Sequence, residues 1–301
     1  MKKKKKWSKR NLPPRRSTRS SVRPERPFMV SHFCCLSYME DEPATYEEAV
    51  SGEHARQWRR AMDEEMQSLI DNKTYEITSL PTGREAVTCK WVYKVKRDKN
   101  GEIDRFKARL VARGFTQKKG IDYEETFSPT PKFTTIRLVI AIAVRQGMAL
   151  TQMDFTTAFL NGTLDEEIYM AQAPGYVKDE NQVYKLLKSL YGLKQASRAW
   201  NVTFNSFMIK VGFKQCESDL CLYFKHGNGL TLVICYVDDL IIASNDTEVL
   251  QKLKDELQKN FMLKYTSTDN GRSRWTPGAA GRPPGACSRR LAEAPQECVE
   301  D

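Results

Sequence analysis

Thr231–Ser244, TLVICYVDDLIIAS, reads as two apolar strands back to back with Asp238-Asp239 at their junction. Leu232, Val233, Ile234 and Val237 lead in; Leu240, Ile241, Ile242 and Ala243 lead out. Branched aliphatic runs of this length suit strands buried on at least one face. A short polar junction between two such runs predicts a hairpin, although Asn-Gly or Asp-Gly would mark one more strongly. Taken alone, two aspartates behind Tyr236 need do no more than solvate a turn. A third carboxylate changes the weighing: Asp154 stands toward the C-terminal end of Ala149–Phe155, ALTQMDF, itself a short strand.

The flanks of the hairpin predict its setting. Before it, Trp200, Phe204, Phe207 and Val211 mark the buried face of a helix closed by Gly212. After it, Asn245 or Asp246 caps a helix with Leu250, Leu253 and Leu257 inward, and Phe261–Lys264 begins a further strand. The order after Gln146 is strand, helix, paired strands, helix, strand, which predicts an α+β fold of the split βαβ, ferredoxin-like kind. Such a sheet sets the strand of Asp154 beside the hairpin of Asp238 and Asp239. Hard divalent cations take a few carboxylate oxygens and leave the rest of their shell to water and phosphates. Two such ions, magnesium or alternatively manganese, suit an in-line phosphoryl displacement.

Upstream, Ser51 is expected to cap a helix with Trp58, Met62, Met66 and Leu69 on one face and Asn72 at its end. Thr134 is expected to cap TIRLVIAIAVRQ, ended by Gly147. Val87–Arg113 alternates, turns at Asn100-Gly101 and alternates again, predicting a hairpin with one apolar and one basic face. Lys90, Lys94 and Lys96 share parity on its first strand, and Lys107, Arg109 and Arg113 on its second. Such residues either guard a sheet edge against aggregation or clamp phosphates.

The formal charge of +10 belongs to one end. Residues 1–27 hold twelve Lys/Arg and one Glu, whereas the remainder holds 36 Lys/Arg against 37 Asp/Glu. The N-terminal 41 residues therefore read as a disordered basic arm. Eight cysteines without a CxxC pair and three scattered histidines argue against zinc or disulfide frameworks. No apolar segment follows the lysine run, and no apolar run is long enough to span a bilayer, so the expectation is an intracellular chain with no membrane partner.

Four stretches carry a resemblance: KWVYKVKRDKNGEIDRFKARLVARGFTQKKGIDYEETFSP, QMDFTTAFLNGTLDEEIYM, LLKSLYGLKQASRAW and YVDD. In this order they resemble the reverse transcriptase of copia-type LTR retrotransposons, over about Glu42 to Lys264. RRSTR in the arm looks like the family's linker between integrase and polymerase. The resemblance implies fingers over residues 42–148, a palm over 149–264, and RNA-directed DNA synthesis from dNTPs on a primed RNA or DNA template. It implies other Pol polyprotein domains as partners, and a cytoplasmic particle or the nucleus as the place of action. Asp154, Asp238 and Asp239 match the catalytic, metal-holding carboxylates. Phe159 matches the side chain that excludes a ribose 2′-hydroxyl. Tyr191, Gly192, Lys194 and Gln195 match the stretch lining nucleotide and template, and Arg109, Lys107 and Lys94 match the finger region approximately. Ser197 stands where the family usually has proline. Residues 265–301, rich in Gly, Pro, Arg and Ala, depart from the family pattern and read as an unstructured tail. The thumb and RNase H regions are expected to be absent. The alternative reading is an inactive remnant, or a nucleic-acid-binding fragment without turnover.

Overall fold

A computed structural model describes residues 42–265; the expectations for the basic arm and for the tail beyond Tyr265 lie outside them. Helix α1 (Tyr46–Ser51) is capped by Thr45, whose Oγ1 accepts from the Glu48 amide at 3.2 Å. Helix α2 (Ala55–Asp71) buries Trp58, Ala61, Met62, Met66 and Leu69, and Asn72 ends it. Ser51, expected to cap α2, instead closes α1, because extended Gly52 interrupts the helical path and α2 restarts after His54.

β1 (Tyr75–Ser79) follows, then the expected hairpin of β2 (Cys89–Arg97) and β3 (Ile103–Ala112). On β2, Cys89, Trp91, Tyr93 and Val95 are buried, while Lys90, Lys94 and Lys96 are exposed. The register sets Lys94 opposite Lys107 and Val92 opposite Arg109. The apolar face packs on α2, with Trp58 edge-on to Tyr93 and Phe106. Helix α3 (Phe133–Arg145) starts one residue before the expected cap, with Lys132 at its N-cap and Thr134 inside its first turn.

β4 (Ala149–Phe155) carries Asp154 and runs into a 3-10 turn over Ala158–Asn161. β5 (Thr163–Met170) and β6 (Gln182–Lys188) pair antiparallel, and β6 also pairs with β1, giving the sheet order β1-β6-β5. The segments on either side of residue 148 thus share a sheet. Helix α4 (Ala196–Lys210) precedes β7 (Lys214–Gln215), β8 (Leu222–His226), β9 (Leu230–Tyr236) and β10 (Asp239–Ser244). Helix α5 (Thr247–Asn260) is capped by Asp246, which accepts from the Val249 amide at 3.0 Å, and β11 (Leu263–Tyr265) closes the described chain. The larger sheet has the order β11-β4-β10-β9-β8-β7.

Period-two alternation gives this sheet two different faces. Met153, Phe155, Val233, Cys235, Leu240 and Ile242 point into a core shared with Trp200, Phe204 and Phe207 of α4 and Leu253 and Leu257 of α5. On the opposite face, Ile136, Val139 and Ala143 of α3 cover Leu232, Ile234 and Ala243. The same parity brings Gln152, Asp154, Tyr236 and Asp239 to that second face, where all four are partly exposed. The fold is mixed α/β, and its catalytic candidates lie where one sheet face is left partly open.

Candidate active site

The hairpin loop is two residues, Val237 and Asp238, because Tyr236 pairs with Asp239. Val237 has φ 54° and Asp238 is not in the left-handed region, the sign pattern of a type II′ turn. A β-branched residue in that conformation is strained, by an amount on the order of 1–3 kcal/mol. Three bonds fix the turn. The Trp200 indole Nε1–H donates to the Val237 carbonyl at 2.7 Å, the Cys235 thiol donates to the same oxygen at 3.4 Å, and the Phe155 amide donates to the Asp238 carbonyl at 2.8 Å. The last bond ties the turn to the strand of Asp154.

Asp154 lies directly across from Asp239 in the β4–β10 register. Opposed residues in an antiparallel pair hold their Cβ atoms about 4.5–5.5 Å apart, and like charges so placed repel. The Gln152 side-chain amide donates to Asp239 at 3.3 Å, relieving part of that charge. Burial, then the charges of Asp238 and Asp239, push the Asp154 carboxyl above its ordinary range, while Lys264 and Lys107 oppose the shift. Burial also raises Asp238, assisted by Asp239 and opposed by its own amide and by Arg109 and Lys107. Mutually repelling carboxylates at the open end of a sheet fit a divalent cation. Among the described residues no three ligating side chains close into a ready-made cage.

The basic hairpin lies near these carboxylates, since the charges of Lys107 and Arg109 both bear on Asp238. Burial, then Arg109 and Arg105, pull the Lys107 ammonium down to about 8. Behind it, Glu65 of α2 accepts from the Leu110 amide at 3.3 Å and faces Arg109 and Lys107; burial raises its carboxyl. The Arg109 guanidinium lies 4.6 Å from the centre of the Tyr191 ring, which meets the Phe159 ring edge-on at 5.0 Å. Lys94 is exposed on β2 across from Lys107.

The other predicted residues have more structural surroundings. Gly192 has φ 88°, and a Cβ there would run into the Ala112 carbonyl and the Val111 side chain. The neighbouring Tyr191 carbonyl accepts from the Ala112 amide at 2.8 Å, joining β3 to the segment ahead of α4. Lys194 reaches Tyr123, its Nζ 3.2 Å from the hydroxyl and 4.8 Å from the ring centre. Gln195 is 3% exposed, and its amide donates to the Asp122 carbonyl at 2.7 Å and to Glu166 at 3.2 Å while accepting from Gln117 at 3.0 Å. Gln195 thus holds the loop after β3 against the start of α4.

Lys264, Glu65 and Gln152 join the site from outside the sequence-predicted set, in which Trp200 is a core residue only. Lys264 pairs in register with Asp154 on the side away from Asp239, a placement that depends on the β4–β11 pairing. Gln152 carried a legible signal, since it shares strand parity with Asp154 two residues on.

Carboxylates thus stand on neighbouring strands close to a basic hairpin. Residues 72–270 match the family model described as reverse transcriptase (RNA-dependent DNA polymerase). The chain is 43% identical to the retrovirus-related Pol polyprotein from transposon TNT 1-94 of Nicotiana tabacum, over 84% of this chain and 19% of that one. It is 40% identical to the corresponding polyprotein from transposon RE1 of Arabidopsis thaliana, over 75% of this chain and 15% of the relative. With the transposon Ty1-ER2 Gag-Pol polyprotein of Saccharomyces cerevisiae, the identity is 26% over 74% of this chain and 12% of the relative. The chain belongs to the reverse transcriptase family, as a copia-type retrotransposon domain. It spans between 12 and 19% of the length of these relatives.

Proposed function

We propose that this chain performs RNA-directed DNA synthesis, joining dNTPs to a primer 3′-hydroxyl on an RNA or DNA template. The observation that carries the reading is Asp154 in register with Asp239, with Asp238 at the strained turn and within reach of the charges of Lys107 and Arg109. The sheet order β11-β4-β10-β9 supports a ferredoxin-like palm over residues 149–264, with fingers over 42–148. Asp154, Asp238 and Asp239 would hold two magnesium ions, or manganese, which when bound would activate the primer hydroxyl and neutralise charge on the phosphates. Lys107, Arg109 and Lys94 bind the triphosphate or template backbone. Tyr191 keeps Arg109 over its ring, Phe159 sits against the incoming sugar, and Gly192, Lys194 and Gln195 position that wall. The remaining Pol polyprotein domains are the protein partners of this segment, in a cytoplasmic particle or the nucleus.

The direct test is extension of a DNA primer annealed to an RNA template, with dNTPs and Mg2+ or Mn2+. Template-dependent, cation-dependent extension is expected. Binding of the primer–template without extension under both cations would favour the fragment without turnover.

Sugar selection gives a finer test. Phe159 touches the cores on both sides of the site as well as the Tyr191 ring, so its position is well fixed. Phe159→Val should raise relative ribonucleotide incorporation about 10–200-fold, the range a change of methylene size makes in a snug pocket. An unchanged ratio of ribo- to deoxynucleotide incorporation efficiencies would remove Phe159 from this role. A second test uses pH. Lys107, held near 8, is charged below that value and neutral above it, whereas its unfolded counterpart stays charged to about 10.4. The KM for dNTP should therefore rise as pH climbs through 8, and Lys107→Arg should abolish that rise because a guanidinium stays charged.

A further inference from the structure

Trp200 is 2% exposed and stands in the aromatic core behind the sheet, edge-on to Phe155 and Phe261. Its ring packing alone accounts for an aromatic residue there, since phenylalanine would fill most of the same space. It does not account for the indole nitrogen, which passes through the core to the peptide between Val237 and Asp238. That peptide follows the only β-branched residue with positive φ among the described residues. Its carbonyl has one strong donor, Trp200 at 2.7 Å, and one weak one, the Cys235 thiol at 3.4 Å.

We propose that Trp200 is the positioning residue of the carboxylate turn: its indole N–H holds the strained Val237–Asp238 peptide and thereby sets where the Asp238 carboxylate leaves the backbone. This rests on the metal-site reading given above. A two-residue turn with positive φ at its first position suits glycine, and valine there relaxes unless an outside bond opposes it. The peptide plane fixed by Trp200 leads directly into Asp238. The Phe155 amide anchors the following carbonyl, so two consecutive peptides are held, one from the helix behind the sheet and one from the neighbouring strand. Phe155 belongs to the ring cluster that seats Trp200, and it is the next residue after Asp154. One aromatic cluster thus fixes both strands on which the carboxylates stand.

The test uses the full 301-residue chain. Trp200→Phe keeps the ring and deletes the donor. Amide exchange at Asp238 and Asp239 should quicken about tenfold, the scale of one buried hydrogen bond, while Ile234 and Ile242 in the strands change far less. Mn2+ affinity, read from the free-ion paramagnetic resonance signal, should fall about tenfold as well. Val237→Gly removes the backbone strain, so in that background Trp200→Phe should change both readouts by about twofold or less. Turn exchange unchanged in Trp200→Phe, or quickened uniformly with the whole sheet, would overturn the proposal. So would an undiminished effect in the glycine background. If Trp200→Phe alone does not fold, Val237→Gly is compared with the double variant, and an Mn2+ difference well above twofold counts against the idea. Asp154→Asn separates this from the wider reading: Mn2+ binding that survives it removes the metal site, while the exchange result still judges Trp200.

Discussion

Asp238→Asn should eliminate primer extension and, in the metal-free chain, raise the melting temperature. The first effect follows from removing a charged oxygen that, on the proposed function, would hold the cation facing the phosphates, a loss of at least about 10²–10³-fold in turnover. The second follows from the cluster's own repulsion. Burial and Asp239 hold the Asp238 carboxyl above its ordinary value. A carboxyl whose folded pKa exceeds its unfolded one binds its proton more tightly in the folded state, so stability falls as pH rises through the interval between the two. The penalty is absent below the unfolded value near 3.8 and fully present above the raised folded value. At neutral pH the asparagine variant escapes it.

Asp154→Asn should behave alike, because Asp154 is raised by burial and by both other carboxylates. For a domain of this size each kcal/mol regained moves the midpoint by roughly 2–4 °C. The gain should shrink as pH is lowered toward 3.8, where wild type carries its own protons. Mn2+ should reverse the order of stabilities, since a cation that binds only the folded wild type stabilises it by mass action. Thermal melts of the three chains, with and without Mn2+ and at two pH values, check each sign. A metal-free asparagine variant less stable than wild type at neutral pH would mean that the carboxylates are structural acceptors.

The legible and illegible parts of this molecule divide along physical lines. The two-faced β2–β3 hairpin was legible because alternation around an Asn-Gly turn marks its faces, whereas the register shift at Lys96–Arg97 was not. The β9–β10 hairpin was legible from its aliphatic runs, but the strain at Val237 was not, since valine is the last residue a turn rule places at positive φ. β1 escaped because YEITS offers only Tyr75 and Ile77 as apolar alternates, and its pairing with β6 joins residues more than a hundred positions apart. The Ser51 cap was misassigned because helix-start rules weigh polar side chains, whereas here a glycine one residue later divides two helices. In the site, Asp154, Asp238 and Asp239 were found by motif, and their facing arrangement is a matter of register between distant strands. Lys264 and the indole bond of Trp200 depend on pairings that no local pattern encodes.

The largest stability effect should come from Gly192→Ala. At φ 88° an alanine pays for a left-handed backbone, about 1–2 kcal/mol. The added methyl also meets the Ala112 carbonyl, which is held in place by β3, and the Val111 side chain. Overpacking of that kind adds about 1–3 kcal/mol. The total, about 2–5 kcal/mol, is a large part of the 5–15 kcal/mol that typically separates folded from unfolded chains. Gly101 provides the internal comparison: it has φ 87°, but a Cβ there meets nothing within 4 Å. Gly101→Ala should therefore show the conformational part alone, and denaturant titration of the two variants separates strain from collision. The functional consequence is directional. Gly192 lies where the Ala112 amide binds the Tyr191 carbonyl, the joint between the segment ahead of α4 and β3, whose Lys107 and Arg109 charges bear on Asp238. Pushing that joint apart should weaken dNTP binding even in molecules that remain folded, whereas Gly101→Ala should leave it unchanged. Equal stability losses in the two variants would mean that the close approach of β3 to Gly192 relaxes freely and does not set the position of the basic hairpin.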